Sequence, residues 1–185
     1  ETYMASPDFN SIKIEHYLPA FEEGIRQHEA EIDSIANNPE PATFENTLVA
    51  LEKSGRVLSR VSSVFFALTS ADTNDELIAI EEEISPKLSA HSDALYLNDK
   101  LFERVKAIHD GDLSSLEPED QRLVKHYYDN FVQAGALLSS EDKEQLKTLN
   151  QKEAALLTDF GNKLTKATNA FIFIKDKAQL AGLSE

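Results

Sequence analysis

From Phe21 to Ala167, apolar side chains return at intervals of three, four and seven residues, and very little in the chain breaks that rhythm. A repeat near 3.6 gathers such residues on one face of an α-helix, so each segment must bury its stripe against another helix. Only 6 Gly and 6 Pro occur in 185 residues, too few for the tight turns of an all-β sandwich or barrel. One core is the default at this length. The expected fold is therefore all-α: a multi-helix bundle of long antiparallel helices in one unit, residues 1–185.

The punctuation divides the chain into helices. Pro19 sits in a first turn, where its missing N–H does no harm, and Phe21, Ile25, Ile32 and Ile35 follow on one face with His28. "NNPEP" stops that helix. Thr43 caps a second, expected to run on to Leu68 with the stripe Phe44, Leu48, Leu51, Leu58, Val61, Phe65 and Leu68. Gly55 inside it either weakens the helix or admits a close neighbour. "TNDE" predicts a capping box, Thr73 with Glu76, opening a helix that Pro86 should kink or interrupt. Asn98 caps "DKLFERVKAIH", which Asp110-Gly111 closes. Pro118 opens another helix, with carboxylates in its first turn to favour the helix dipole. Ser139 or Ser140 opens the last, whose stripe is Leu146, Leu149, Leu156, Leu157, Phe160, Leu164 and Ala167. "AFIFIK", near residues 170–175, is the single candidate strand, and it has no convincing partner.

Charge and composition exclude several functions. Eighteen Lys and Arg against 33 Asp and Glu leave a net charge of -15, which repels nucleic acid and anionic membranes. The apolar runs "SVFFAL" and "NAFIFI" are far too short to span a bilayer. There is no cysteine, so neither a disulfide framework nor a thiolate metal site can form. Cysteine content does not separate cytoplasm from periplasm; the cytoplasm is the expectation and the periplasm the alternative. "ETYMASPDF" begins without an initiator methionine or a signal peptide, which suggests that something upstream was removed or never included.

No local pattern carries catalysis. "HEAEI" (28–32) differs by one residue from the His-Glu-x-x-His helix of zinc peptidases, in which two imidazoles one turn apart bind the metal. With Ile32 in the second place the helix offers one nitrogen, and Ile32 belongs to the apolar stripe. The five histidines, His16, His28, His91, His109 and His126, include no pair three or four residues apart. His28 with Glu29 and Glu31, and His126 with Asp129, read as ordinary polar pairs that would need a distant ligand to hold a metal. Glu81, Glu82 and Glu83 spread around a helix and read as a solvated face. Phe65-Phe66 and Tyr127-Tyr128 could line a peptide groove, but packing accounts for at least one of each pair. No nucleophile elbow or phosphate loop is present. No catalytic or metal-ligating residue is assigned in this chain, and substrate-binding residues are unassigned.

Several blocks together resemble one family. "FNSIKIEHYLPAFEEGI" (9–25), "IANNPEPATFENTLVALEKSG" (35–55) and the long run from Leu58 to Val105 resemble the N-terminal region of bacterial peptidyl-dipeptidases. These dipeptidyl carboxypeptidases are related to oligopeptidase A and thimet oligopeptidase. "LVKHYYDNFVQAGALLSSEDKEQLKTLN" (123–150), "TDFGNKLTKATNAF" (158–171) and "LAGLSE" (180–185) continue the likeness in order, and "SPKLSAHSDALYLN" favours the dipeptidyl carboxypeptidase branch. Ser184 stands where the family commonly has proline. The resemblance implies a longer, almost wholly helical zinc metallopeptidase whose deep channel admits short peptides and from whose C-termini it removes dipeptides. It implies that the zinc site lies beyond this sequence, that these residues form part of the channel wall or lid, and that they are inactive alone, with no cofactor of their own. Their partner would be the remainder of the parent peptidase. An oligopeptidase A-like endopeptidase segment and a free-standing helical interaction module are the alternatives.

Overall fold

The computed structural model describes residues 7–170 and 174–182. Helix α1 is Tyr17–Ala36, and α2 begins as a π-helical turn at Phe44–Val49 and continues as α-helix at Ala50–Lys53. They are followed by α3 (Arg56–Ala71), α4 (Asp75–Tyr96), α5 (Asp99–His109), α6 (Pro118–Gln133) and α7 (Ser140–Asn169). Among the described residues there is no strand; the candidate at 170–175 falls partly on residues 171–173, outside them. No described helix is long and apolar enough to cross a membrane.

Three expected helix starts are present. Thr43 accepts a hydrogen bond from the Asn46 N–H at 3.1 Å, Asn98 from that of Leu101 at 3.1 Å, and Ser139 from that of Asp142 at 3.1 Å. Pro118 occupies the first position of α6. Three other expectations are corrected. The helix expected from Thr43 to Leu68 is two helices, because Gly55 adopts φ 66°, a left-handed conformation that ends α2 and begins α3. The cap of α4 is Asn74, whose Oδ1 accepts from the Leu77 N–H at 2.9 Å, while the Thr73 hydroxyl is buried without a partner. Pro86 does not interrupt α4, which runs on to Tyr96. Tertiary packing outweighs the lost hydrogen bond: Leu77, Ile78 and Ile84 before the proline and His91 and Asp93 after it are all buried.

The core has two parts that share α1. Its first half contributes Tyr17 and Phe21, which pack with Leu58 and Phe65 of α3 and with Leu77 and Ile84 of α4. Phe65 meets Tyr17 and Phe21 edge to face, at ring separations of 5.1 and 5.3 Å. The second half of α1 contributes Ile32, Ile35 and Ala36, packed with Leu48 and Leu51 of α2 and with residues of α5 and α6. Close approach of α1 and α3 requires Gly24, where a Cβ would lie 3.0 Å from the Leu58 Cα. The pairings α1/α3, α4/α7 and α5/α6 are antiparallel, as Tyr17–Phe65 with Gly24–Leu58, Asp93–Asn150 with Glu82–Asn162, and Phe102–Phe131 with His109–Tyr128 show. Helices α1 and α4 run parallel, joined by Glu22–Lys87 and His28–His91.

The loop after α1 is held from α5. Arg104, 9% exposed, donates to the carbonyls of Asn38 and Glu40, each at 3.0 Å, to Asn46 Oδ1 at 2.8 Å and to Thr47 Oγ1 at 3.2 Å. The "NNPEP" stretch cannot bond within a helix, so a buried guanidinium supplies the donors its carbonyls need.

Candidate functional site

Two features stand out from ordinary packing: a histidine pair between the two cores, and the outer face of α7. His28 of α1 and His91 of α4, 63 residues apart, meet with Nδ1 of His28 and Nε2 of His91 at 2.9 Å. The surroundings fix the direction of that bond. Ser54 Oγ gives its hydrogen to the Leu51 carbonyl at 2.7 Å, so it accepts from Nε2–H of His28 at 3.0 Å. Neutral His28 then has a bare Nδ1, to which Nε2–H of His91 donates. His91 Nδ1 is left buried without a hydrogen-bond partner, 3.7 Å from the Glu29 carboxylate. Glu31 turns the other way and accepts the Gly55 N–H at 2.7 Å. Burial, and secondarily the neighbouring His91, push the His28 pKa down, which agrees with the neutral form this network requires.

Each imidazole uses a nitrogen on the other, and no group of three or more His, Asp or Glu side chains among the described residues is placed to hold a metal ion. Ile32 of "HEAEI" is 3% exposed and faces the core, as its place in the stripe predicts. His126 bonds Asn130 at 3.0 Å while Asp129 pairs with Lys125, so these two are ordinary surface groups. Glu83 pairs with Lys87, Glu82 reaches Asn162, and burial raises the pKa of Glu81. Phe65 is buried; Tyr128 stacks on Phe102 and His109, and Tyr127 donates to Glu52 at 2.7 Å. The histidine pair had no local signature, because its members come from helices whose pairing the sequence pattern does not reveal.

Helix α7 is oriented opposite to expectation. Lys143 is buried, and Leu146, Lys147, Asn150, Ala154, Thr158, Asp159, Asn162 and Thr165 are half-buried, most of them on the side toward the rest of the protein. Asn150 donates to Asp93 of α4 at 2.6 Å and Asn162 to Glu82 at 3.4 Å, and burial raises the Asp93 pKa. Thr158, Asn162 and Thr165 line a polar cleft with Thr69, Ser70 and Glu81. The apolar stripe faces out: Leu149 is 62% exposed, Leu156 58%, Leu157 63%, Phe160 66% and Leu164 53%. Large apolar surface of this kind marks an interaction face.

No protein-family model matches the chain. Dipeptidyl carboxypeptidase of Salmonella typhimurium is 49% identical over 181 residues, 97% of this chain and 27% of that protein. Dipeptidyl carboxypeptidase of Escherichia coli is 46% identical over 185 residues, 99% of this chain and again 27% of the relative. Oligopeptidase A of Salmonella typhimurium is 26% identical over 186 residues, 100% of the chain and 27% of that protein. The chain thus spans about a quarter of the length of the curated relatives it matches. With nearly half its residues identical to the first two along almost its whole length, the chain is a counterpart of the N-terminal region of dipeptidyl carboxypeptidases.

Proposed function

We propose that this chain is the N-terminal helical domain of a zinc metallopeptidase that removes dipeptides from the C-termini of short peptides. It forms part of the wall or lid of the substrate channel and is inactive by itself. The observation that carries this reading is the identity of 49% and 46% to two dipeptidyl carboxypeptidases, against 26% to an oligopeptidase A. That difference favours dipeptide removal over internal cleavage. The described side chains offer no three-ligand set for zinc, so no step of the reaction is assigned to residues of this chain. Its contribution is to shape and to close: a rigid helical body whose net charge of -15 sets an acidic field around the peptide path.

The test is a chimera in which this chain replaces the matched quarter of the Escherichia coli dipeptidyl carboxypeptidase, beside the chain alone supplied with zinc. The chimera should release a dipeptide from a blocked tripeptide in a chelator-sensitive reaction, and the chain alone should release nothing. Release by the chain alone would refute its inactivity. A chimera that cuts only internal bonds would favour the oligopeptidase A reading. An immunoblot of native extract should show a band several times heavier than 20.6 kDa; a single band at that mass would favour a free-standing interaction module.

A further inference from the structure

Resting on the reading just given, we propose that the outward stripe of α7, Leu149, Leu156, Leu157, Phe160 and Leu164, is the face on which the remaining three-quarters of the parent peptidase docks. The complementary surface would be apolar with a polar border.

At 100° per residue these five side chains fall within an arc of about 100°, the width of a helix face that meets another element. From Leu149 to Leu164 the stripe runs about 22 Å along the helix at 1.5 Å per residue. Five side chains, each more than half exposed, present an apolar patch of roughly 500 Å², at the upper end of what a monomer leaves uncovered. The patch approaches the roughly 800 Å² per partner of a standard interface once its polar rim is included.

The opposite face indicates that α7 has not simply been turned around. An amphipathic helix packed on its own domain would place Leu156 and Phe160 against α4, yet the side chains that bond α4 are Asn150 and Asn162, with Ala154 and Thr158 half-buried between them. The two amides donate to the Asp93 and Glu82 carboxylates, so rotating α7 would unpair both. The helix is built to be wet or polar inward and apolar outward, the pattern of an element lying between two bodies.

The rim is of mixed charge. Lys152, Lys163 and Lys166 border one side of the stripe, but Asp159 stands among them, paired with Lys163 at 2.7 Å, and exposed Glu153 falls within the stripe's arc. An apolar centre with a polar border is the usual anatomy of an interface. The occupant is supplied by the length of the relatives, of which this chain matches 27%.

The test is carbene footprinting of side chains in the chain alone and in the chimera with the rest of the Escherichia coli dipeptidyl carboxypeptidase. Leu156 and Phe160 should be labelled in the chain alone and at least five-fold less in an active chimera. Phe160→Asp with Leu156→Asp in the chimera should restore labelling of Leu149 and Leu164 and lower dipeptide release at least ten-fold. Val57→Asp, an exposed position on α3, should change neither. An active chimera whose stripe is labelled as strongly as in the chain alone overturns the docking inference and leaves the peptidase reading standing. A folded chimera without chelator-sensitive release overturns the reading and the docking with it. A dimer of the chain alone that Phe160→Asp dissolves, together with a stripe still labelled in the active chimera, assigns the face to a second copy and overturns the proposal.

Discussion

Gly55→Ala has opposite expected signs according to whether residues 43–68 are one helix or two. In a continuous helix, alanine in place of an interior glycine stabilises by about 1 kcal/mol. In the structure Gly55 has φ 66°, where an L side chain costs roughly 1–2 kcal/mol. The new Cβ would also lie 2.8–3.0 Å from three atoms of the His28 ring. The ring must move, weakening its bonds to Ser54 and His91, each worth about 0.5–1.5 kcal/mol. The expected loss is about 2–4 kcal/mol, read from urea unfolding followed by circular dichroism at 222 nm. A double-mutant cycle separates the two causes. With His28→Ala as background only the backbone cost should remain, roughly 1–2 kcal/mol, leaving a coupling of about the same size. An unfolding midpoint that rises or stays put would refute the break at Gly55, and an equal loss in both backgrounds would refute the contact with His28.

Other substitutions probe the rest of the frame. His28 has its pKa lowered in the folded chain, so between that value and the unfolded one of about 6.5 the unfolded chain binds more protons. Its contribution to stability is therefore complete above about pH 6.5 and lost as pH falls through the folded value; His28→Gln should flatten that part of the stability–pH curve, and an unchanged slope would contradict the neutral ring. Arg104→Met leaves the Asn38 and Glu40 carbonyls without their donor and should cost about 2–4 kcal/mol, whereas a change below about 0.5 kcal/mol would mean water replaces the guanidinium. Leu51, 7% exposed in the second core, should lose about 2–5 kcal/mol on conversion to alanine, and an unmoved midpoint would place it at a surface.

What the sequence made legible follows from the range over which each interaction acts. Thr43, Asn98 and Ser139 bond backbone groups three residues on, so local pattern suffices to find them. The same rule failed at Thr73, because adjacent Asn74 is an equally good cap and the start of α4 uses it. The interruption weighed at Pro86 does not occur, since a proline's local cost can be outweighed by distant packing along both halves of α4. Arg104 and the His28–His91 pair were invisible for a simpler reason: their partners lie 57 to 66 and 63 residues away. The run "NNPEP" did carry one usable signal, a stretch of carbonyls that a buried donor had to satisfy.

Helix α7 shows where periodicity itself stops being informative. The spacing of Leu149, Leu156, Phe160 and Leu164 correctly marks one apolar face, but a helical period has no sign: it does not say whether that face turns toward this chain's core or away from it. The sign resides in the residues between. Asn150, Ala154, Thr158, Asn162 and Thr165 also recur at three and four, forming a second stripe of small and hydrogen-bonding side chains. Beyond Lys143 and Lys147 near its start, that face carries no long charged side chain, although Lys and Glu are better helix formers than Asn and Thr. Two ordered faces on one helix therefore point to two neighbours. The polar one is α4, through Asp93 and Glu82. The apolar one, with the larger hydrophobic area to remove from water, contributes the greater stabilisation once covered. On the docking proposed above, covering that face fixes α7 more firmly than the contacts within this chain do.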